Sequence, residues 1–176
     1  KQEGDNLPVS AFRGREDGTI PNGTSQFEKR GIAVNVPEWQ SDNCIQCNQC
    51  AYVCPHAVIR PFLIDEKEMA GAPAGLTTLT PLGKGYEGLQ YKIQISPLDC
   101  TGCGSCANVC PGKKGEKALI MKPLDSQLAT EQPNWDYLSN NVTYKDTIND
   151  KTANVKNSQF ARPLFEFSGA CAGCGE

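Results

Sequence analysis

The chain has 176 residues, a formal net charge of −3 and ten cysteines. This length accommodates one ordinary domain with additional arms, and the negative balance without a basic stripe argues against a nucleic-acid-binding protein. No run approaches the roughly 18 apolar residues that a membrane-spanning helix needs, so we expect a soluble, cytoplasmic protein without a membrane partner. Ten cysteines are more than a cytosolic protein without metal would carry.

The first 31 residues are rich in glycine, proline, asparagine and charge, with no sustained hydrophobic period. This composition predicts an extended N-terminal arm over residues 1–31, with turns at 17–18 and 21–23. Because the sequence starts without methionine, we expect the arm to continue from a preceding domain. Four β-rich runs follow along the chain, and each is predicted to form a strand. They are residues 32–36, 57–64, 91–95 and 118–121.

Two 14-residue stretches, 43–56 and 99–112, share the spacing Cys-x2-Cys-x2-Cys-x3-Cys-Pro. This run ligates [4Fe–4S] clusters in bacterial two-cluster ferredoxins, where the fourth cysteine binds the other cluster. We therefore predict two [4Fe–4S] sites with crossed ligands. The first site is assigned to Cys44, Cys47, Cys50 and Cys110, and the second to Cys100, Cys103, Cys106 and Cys54.

Disulfides and zinc are the alternative uses of these cysteines. Tight Cys-x2-Cys-x2-Cys triplets without a preceding signal peptide fit disulfides poorly. Zinc usually takes pairs of Cys-x2-Cys, often with histidine, rather than two quartets that each end in proline. Pro55 and Pro111 push the preceding cysteine out of the helical region, which ends each short turn at its ligand.

A strand before and after each cysteine loop makes an internal repeat, offset by 56 residues from Cys44 to Cys100. We expect an α+β fold, namely a bacterial-ferredoxin-like domain with two [4Fe–4S] clusters and pseudo-twofold symmetry over residues 32–124, flanked by extended arms. Residues 65–89 exceed what the two halves require. They predict a surface insertion with one helical turn at 66–69, in a covering or docking role.

The C-terminal third is predicted to be a helix followed by a linker, over residues 125–167. The helix spans 125–140 and is capped by Asp125 or Ser126, whereas the polar residues 140–159 are typical of a linker. A partial apolar stripe on the helix comprises Leu128, Trp135 and Leu138. The sequence starts without methionine and stops after the pair Cys171 and Cys174, so we expect a fragment of something larger.

Four segments outside the cysteine motifs resemble pyruvate:ferredoxin (flavodoxin) oxidoreductases. The resemblance covers nearly the whole chain except the insertion and the linker. The segments are L-P-V-S-A-F at 7–12, E-K-R-G-I-A-V at 28–34, V-P-E-W-Q at 36–40 and F-S-G-A-C-A-G-C-G-E at 167–176.

The resemblance implies an enzyme that oxidatively decarboxylates pyruvate to acetyl-CoA and CO2, using coenzyme A, thiamine diphosphate and Mg²⁺. Electrons would pass a thiamine-proximal cluster and two ferredoxin-type clusters to an external ferredoxin or flavodoxin. Residues 168–176 would begin the thiamine-binding domain, with Cys171 and Cys174 as two of the four ligands of the proximal [4Fe–4S] cluster. The intact enzyme is expected to be a homodimer, and no catalytic residue is carried over to this chain.

Two other function classes stay open on the sequence. One is a free-standing two-cluster ferredoxin that carries electrons, and the other is a zinc-organised scaffold. The two tryptophans, Trp39 and Trp135, are interpreted as core or interdomain contacts rather than redox relays.

Overall fold

The computed structural model describes residues 4–19 and 29–163. Within these ranges the chain forms four strands and six α-helices, which confirms the predicted α+β class. The strands are β1 Asn35–Trp39, β2 Ile59–Ile64, β3 Gln90–Ile95 and β4 Leu119–Pro123. The helices are α1 Gln49–Tyr52, α2 Glu66–Ala70, α3 Ser105–Val109, α4 Asp125–Asn141, α5 Ile148–Lys151 and α6 Val155–Ser158.

The strands pair as two antiparallel ladders. The first strand β1 pairs with the last, β4, so that Trp39 faces Leu119. The second strand β2 pairs with β3, so that Ile59 faces Ile95. Each cysteine motif therefore connects one ladder to the other, and the short helices that follow the two loops, α1 and α3, pack against each other.

Three of the four predicted strands lie within two residues of β2, β3 and β4, but the first prediction was three residues early. The ladder of β1 begins at Asn35, opposite Pro123 at the end of β4. Before it, Gly31 adopts a left-handed φ of 59° and donates its N–H to the carbonyl of Leu98 at 2.8 Å. The β-branched run that predicted a strand thus includes residues outside the ladder, and Val34 is exposed.

Helix α4 covers the face of the β2–β3 ladder that carries polar side chains. From the alternation of side chains along the strands, this face would be expected to be open to solvent. Lys92 and Gln94 of β3 are only 3% and 0% exposed. The Gln94 side-chain amide donates to the carboxylate of Glu131 on α4 at 2.8 Å. The ring of Trp135, also on α4, lies 4.9 Å from the Arg60 guanidinium of β2. Both faces of this ladder are therefore buried.

The predicted helix at 125–140 is confirmed as α4, and it continues through Pro133. Its predicted cap is wrong, because the N-cap position is Leu124 and no side chain caps the helix. The Ser126 hydroxyl instead donates back to the carbonyl of Pro123 at 2.6 Å. In the described part of the chain, no helix combines the length and apolar character needed to cross a membrane.

The insertion over 65–89 folds back onto the domain. It begins with the predicted helical turn, α2, whose capping box joins Asp65 and Glu68. Leu79 then forms an antiparallel bridge with Tyr91 of β3, and Tyr86 is buried in the core. The insertion is therefore a packed cover rather than a protruding loop.

Residues 140–159, predicted as a linker, also pack against the domain. They contain the two short helices α5 and α6. The buried Asn157 accepts a hydrogen bond from the hydroxyl of Tyr86, and Phe160 joins the main core at 2% exposure. The sequence predicts a linker here because the segment is polar and its few buried positions follow no helical or strand period.

Residues 4–19 of the N-terminal arm are exposed throughout, whereas Lys29 and Gly31 at its end are partly buried. The predicted turn at 17–18 is confirmed, since Gly18 has a φ of 81° and the Thr19 N–H donates to the Asp17 carboxylate at 3.0 Å. The predicted turn at 21–23 lies outside the described residues.

Candidate metal centres

The first cavity brings together four cysteines that the spacing predicted as one site. Together with apolar neighbours they surround about 320 Å³ of space that no protein atom fills, part of it open to solvent. Three cysteines come from the first loop and the fourth from the end of α3. They are Cys44, Cys47, Cys50 and Cys110.

The second cavity repeats the arrangement with the loops exchanged. It encloses about 330 Å³ that no protein atom fills, again partly open to solvent, so the two cavities match in size. Three cysteines come from the second loop, and the fourth follows α1. They are Cys100, Cys103, Cys106 and Cys54.

The crossing follows from the two short helices. Helix α1 carries Cys50, which lines the first cavity, and Cys54 follows four residues later, where it lines the second. Helix α3 carries Cys106 toward the second cavity, and Cys110 at its C-cap lines the first. Because α1 and α3 pack against each other, each helix delivers one cysteine to each cavity.

Left-handed backbone residues shape both cysteine loops. In the second loop these positions are Gly102 and Gly104, with φ of 73° and 75°. The residues 56 positions earlier, Gln46 and Asn48, have φ of 58° and 59° although neither is glycine. This conformation turns backbone N–H groups toward sulfur, as the Gln46 N–H donates to Cys44 Sγ at 3.4 Å and the Gly102 N–H to Cys100 Sγ at 3.4 Å.

The side chains of Gln46 and Asn48 form hydrogen bonds that hold the insertion and α6 over the first loop. The Gln46 amide donates to the carbonyl of Thr80 at 2.9 Å and accepts from the Leu82 N–H at 2.7 Å. The Asn48 amide donates to the carbonyl of Lys156 at 2.8 Å. Both side chains are at most 2% exposed. The first cavity thus lies beneath the insertion and α6, whereas Cys103 of the second cavity is exposed.

Sequence reasoning missed the roles of Gln46 and Asn48. The signal was present in the repeat, because their counterparts in the second loop are glycines. Glutamine and asparagine adopt a left-handed backbone at a greater energetic cost than glycine. Here the buried hydrogen bonds of their side chains compensate for that cost.

Burial disfavours thiolates in both cavities. Burial raises the pKa of Cys100 to about 11 and that of Cys106 to about 12, and neighbouring cysteines add to both shifts. Burial likewise raises the pKa of Cys50, again with neighbouring cysteines contributing. The exposed Cys103 is the exception, since the backbone N–H and hydroxyl of Ser105 lower its pKa.

These cavities fit iron–sulfur clusters. Four thiols line each cavity, and thiolate is the donor type that iron–sulfur clusters use. Thiolates crowded in a buried cavity need a cationic partner to stay deprotonated. No disulfide joins any two of the eight cysteines that the structure describes. Over residues 4–19 and 29–163 no three metal-binding side chains converge closely enough for a single ion. The predicted pair Cys171 and Cys174 lies outside the described residues.

Comparison with known proteins agrees with the geometry. Residues 43–114 match the family of 4Fe-4S dicluster domains, and residues 1–33 match a domain of unknown function. The chain is 55% identical over 174 residues to pyruvate:ferredoxin oxidoreductase of Moorella thermoacetica, covering 99% of this chain and 14% of that protein. It is 56% identical over 176 residues to pyruvate-flavodoxin oxidoreductase of Enterobacter agglomerans, covering 100% of this chain and 14% of that protein.

The chain is homologous to a segment of these pyruvate oxidoreductases. It contains a 4Fe-4S dicluster domain, so its cofactors are two [4Fe–4S] clusters. A third relative, pyruvate dehydrogenase [NADP(+)] of Cryptosporidium parvum, is 48% identical over 177 residues, covering 99% of this chain and 9% of that protein. The chain therefore spans 14% or less of the length of these three relatives, whose names specify different electron acceptors.

Proposed function

We propose that this chain is the electron-transfer segment of a pyruvate:ferredoxin (flavodoxin) oxidoreductase. The observation that carries the proposal is the crossed grouping of eight cysteines around two cavities of matching size. High identity to these enzymes along nearly the whole chain supports it further. A free-standing ferredoxin is less well supported, because the matches extend beyond the dicluster domain at residues 43–114.

The eight cysteines are the proposed ligands. Three cysteines of each loop bind the cluster of their own half, and the fourth binds the cluster of the other half. The first cluster takes Cys44, Cys47, Cys50 and Cys110, and the second takes Cys100, Cys103, Cys106 and Cys54.

Each bound [4Fe–4S] cluster supplies a centre that gains and loses one electron at a time. The chain holds two such centres close together, because Cys50 and Cys54 are four residues apart, about one helical turn. Backbone N–H groups donate to cysteine sulfur at both cavities, including that of Ala118 to Cys110 Sγ at 3.3 Å. These bonds stabilise added negative charge, and together with burial they set the potentials.

The domain organisation proposed for the chain follows its repeated β–α–β order. Two halves related by a pseudo-twofold axis form the ferredoxin-like domain over 32–124, with the insertion at 65–89. Residues 1–31 form an arm from a preceding domain and 125–167 a helix with a connecting segment. Residues 168–176 begin the thiamine-diphosphate-binding domain. There Cys171 and Cys174 supply part of the proximal cluster site.

The whole enzyme is proposed to convert pyruvate and coenzyme A to acetyl-CoA and CO2, using thiamine diphosphate and Mg²⁺. Electrons reach this segment from the thiamine site and leave it to an external ferredoxin or flavodoxin. Its partners are then the remaining domains of the same enzyme and that acceptor, in a cytoplasmic homodimer. The names of the relatives support the substrate and both acceptors.

Iron, sulfide and electron counting test the proposal. The anaerobically purified chain should contain eight irons and eight sulfides, take up two electrons on reductive titration, and pass them singly to oxidised flavodoxin. Cys44→Ala should disturb the first cluster, whereas the matched variant Cys171→Ala should keep eight irons. Colourless protein, or a chain that takes up no electrons, contradicts the proposal. Twelve irons would contradict the assignment of Cys171 and Cys174 to an incomplete site.

A further inference from the structure

Trp39 places an indole N–H beside the first cavity. It is the last residue of β1, and its ring lines the cavity together with Cys44 and Tyr91. The rings of Trp39 and Tyr91 meet edge to face with centroids 6.3 Å apart. On the Trp39 ring, the ammonium group of the buried Lys92 lies 5.0 Å from the centroid. Packing against Tyr91 and Lys92, two consecutive residues of β3, therefore holds the Trp39 ring in position.

The indole Nε1 is buried and makes no hydrogen bond of ordinary geometry with the described residues. A buried N–H without a partner costs free energy, so such groups in folded proteins have a partner or a function. Cys44 is the acceptor that the surroundings offer. Cys44 and Trp39 line the same cavity, and the Gln46 N–H already donates to the Cys44 sulfur at 3.4 Å.

The second half of the repeat has no equivalent donor at this position. The residue 56 positions after Trp39 is Ile95, which also ends its strand and is buried in the core. Among the described residues that line the second cavity there is no tryptophan, and Pro37, Val58 and Ile59 supply much of its wall.

We propose that the Trp39 indole N–H donates a hydrogen bond to Cys44 Sγ of the first [4Fe–4S] cluster and raises the reduction potential of that cluster. The inference rests on the proposed function. An external reductant supplies one electron to the cluster, and the indole keeps its proton throughout. A hydrogen bond to sulfur strengthens as the cluster becomes more negative, so the bond shifts the equilibrium toward the reduced form. Trp39 is thus a tuning residue rather than an electron relay.

Trp39→Phe removes the N–H and keeps an aromatic ring. In a mediated redox titration of the full chain, followed by electron paramagnetic resonance, one of the two midpoint potentials should fall. The expected change is about tenfold in the one-electron reduction equilibrium, or about 59 mV. Trp135→Phe is the control, because it makes the same change at a buried tryptophan that lies on α4 and does not line either cavity. It should leave both midpoints unchanged.

A second measurement needs no substitution. In the wild-type chain with ¹⁵N-labelled indole, the reduced first cluster should show a hyperfine coupling to one indole nitrogen. The coupling should persist in Trp135→Phe and vanish in Trp39→Phe. Equal midpoints in wild type and Trp39→Phe, or a wild-type chain without the coupling, overturn the inference. A wild-type chain that lacks eight irons or cannot be reduced would instead overturn the proposed function.

Discussion

At the scale of single residues, the two cysteine loops adopt the same left-handed backbone conformation with different residue types. Both need left-handed residues at two positions, which glycine adopts at little cost. The second loop uses Gly102 and Gly104, whereas the first uses Gln46 and Asn48 and gains buried hydrogen bonds from their side chains. The cysteine spacing predicts both loops, but it contains no information about which loop is covered.

Gly102 and Gly104 give a matched pair of alanine substitutions. Both residues have positive φ, so each alanine should cost about 1–2 kcal/mol of stability through backbone strain. A Cβ on Gly102 would also lie 2.9 Å from the Asn35 carbonyl oxygen, whereas one on Gly104 would meet nothing within 4 Å. We expect Gly102→Ala to cost about 3 kcal/mol in total, because overpacking adds to the strain.

The measurement is anaerobic urea denaturation of both variants, followed by cluster absorbance. Equal urea midpoints for Gly102→Ala and Gly104→Ala would show that the contact between residue 102 and the start of β1 is unimportant.

At the scale of elements, α4 completes the fold by covering the polar face of the β2–β3 ladder. Its length could be predicted from the sequence within one residue, but its contact face could not. Gln127 and Asn134 are buried with Trp135 and Leu138, whereas Leu128 of the predicted stripe is half-buried. Glu131 and Trp135 of this helix meet Gln94 and Arg60 of the ladder, and Gln127 donates to the Glu38 carboxylate of β1. An apolar period cannot reveal a face with such polar contacts.

Two leucines of α4 test which face is buried. Leu138 is 0% exposed and packs with Phe62, Ile64 and Val142, so Leu138→Ala should cost about 2–5 kcal/mol of stability. Leu128→Ala, the same change at a half-buried position, should cost about 1 kcal/mol. Denaturant titration of both variants checks the order. A larger loss for Leu128→Ala would contradict the packing of α4.

Helix α2 is anchored by one carboxylate. Glu68 accepts from the Asp65 N–H at 2.9 Å within the capping box and from the Thr143 N–H at 2.8 Å, and it pairs with Lys145 at 3.2 Å. Burial acts to raise the pKa of Glu68, but these donors outweigh it and hold the pKa below its ordinary value of 4.5. The insertion is thereby fastened to the segment after α4.

Glu68→Gln should lower stability at pH 7 by about 1 kcal/mol, because glutamine keeps the capping geometry but loses the charge. A lowered pKa stabilises the fold fully above the unfolded value and loses that contribution as pH falls through the folded value. The difference between wild type and variant should therefore shrink below about pH 4.5. Denaturant titrations across pH test this, with the exposed Glu66→Gln as control. A difference that stays constant down to pH 3 would contradict the role of the charge.

At the scale of the whole molecule, the sequence predicts the grouping of the cysteines better than it predicts what surrounds them. The ligand spacing is local, and repeating the motif suffices to predict both cavities and the exchange of Cys54 and Cys110. The cover over the first cavity depends on contacts between distant residues, since Asn48 and Lys156 are 108 positions apart. Such contacts produce no periodic pattern in the sequence, so the composition of residues 140–159 predicts a linker although the segment is packed.

The exchange of Cys54 and Cys110 between the two halves is the central claim, and single-cluster spectra test it most directly. Electron paramagnetic resonance of the reduced chain should show that Cys54→Ala and Cys100→Ala alter the same cluster. Cys47→Ala and Cys110→Ala should alter the other one. If Cys54→Ala instead perturbs the cluster that Cys47→Ala perturbs, each loop binds its own cluster with all four cysteines, and the crossed arrangement is wrong.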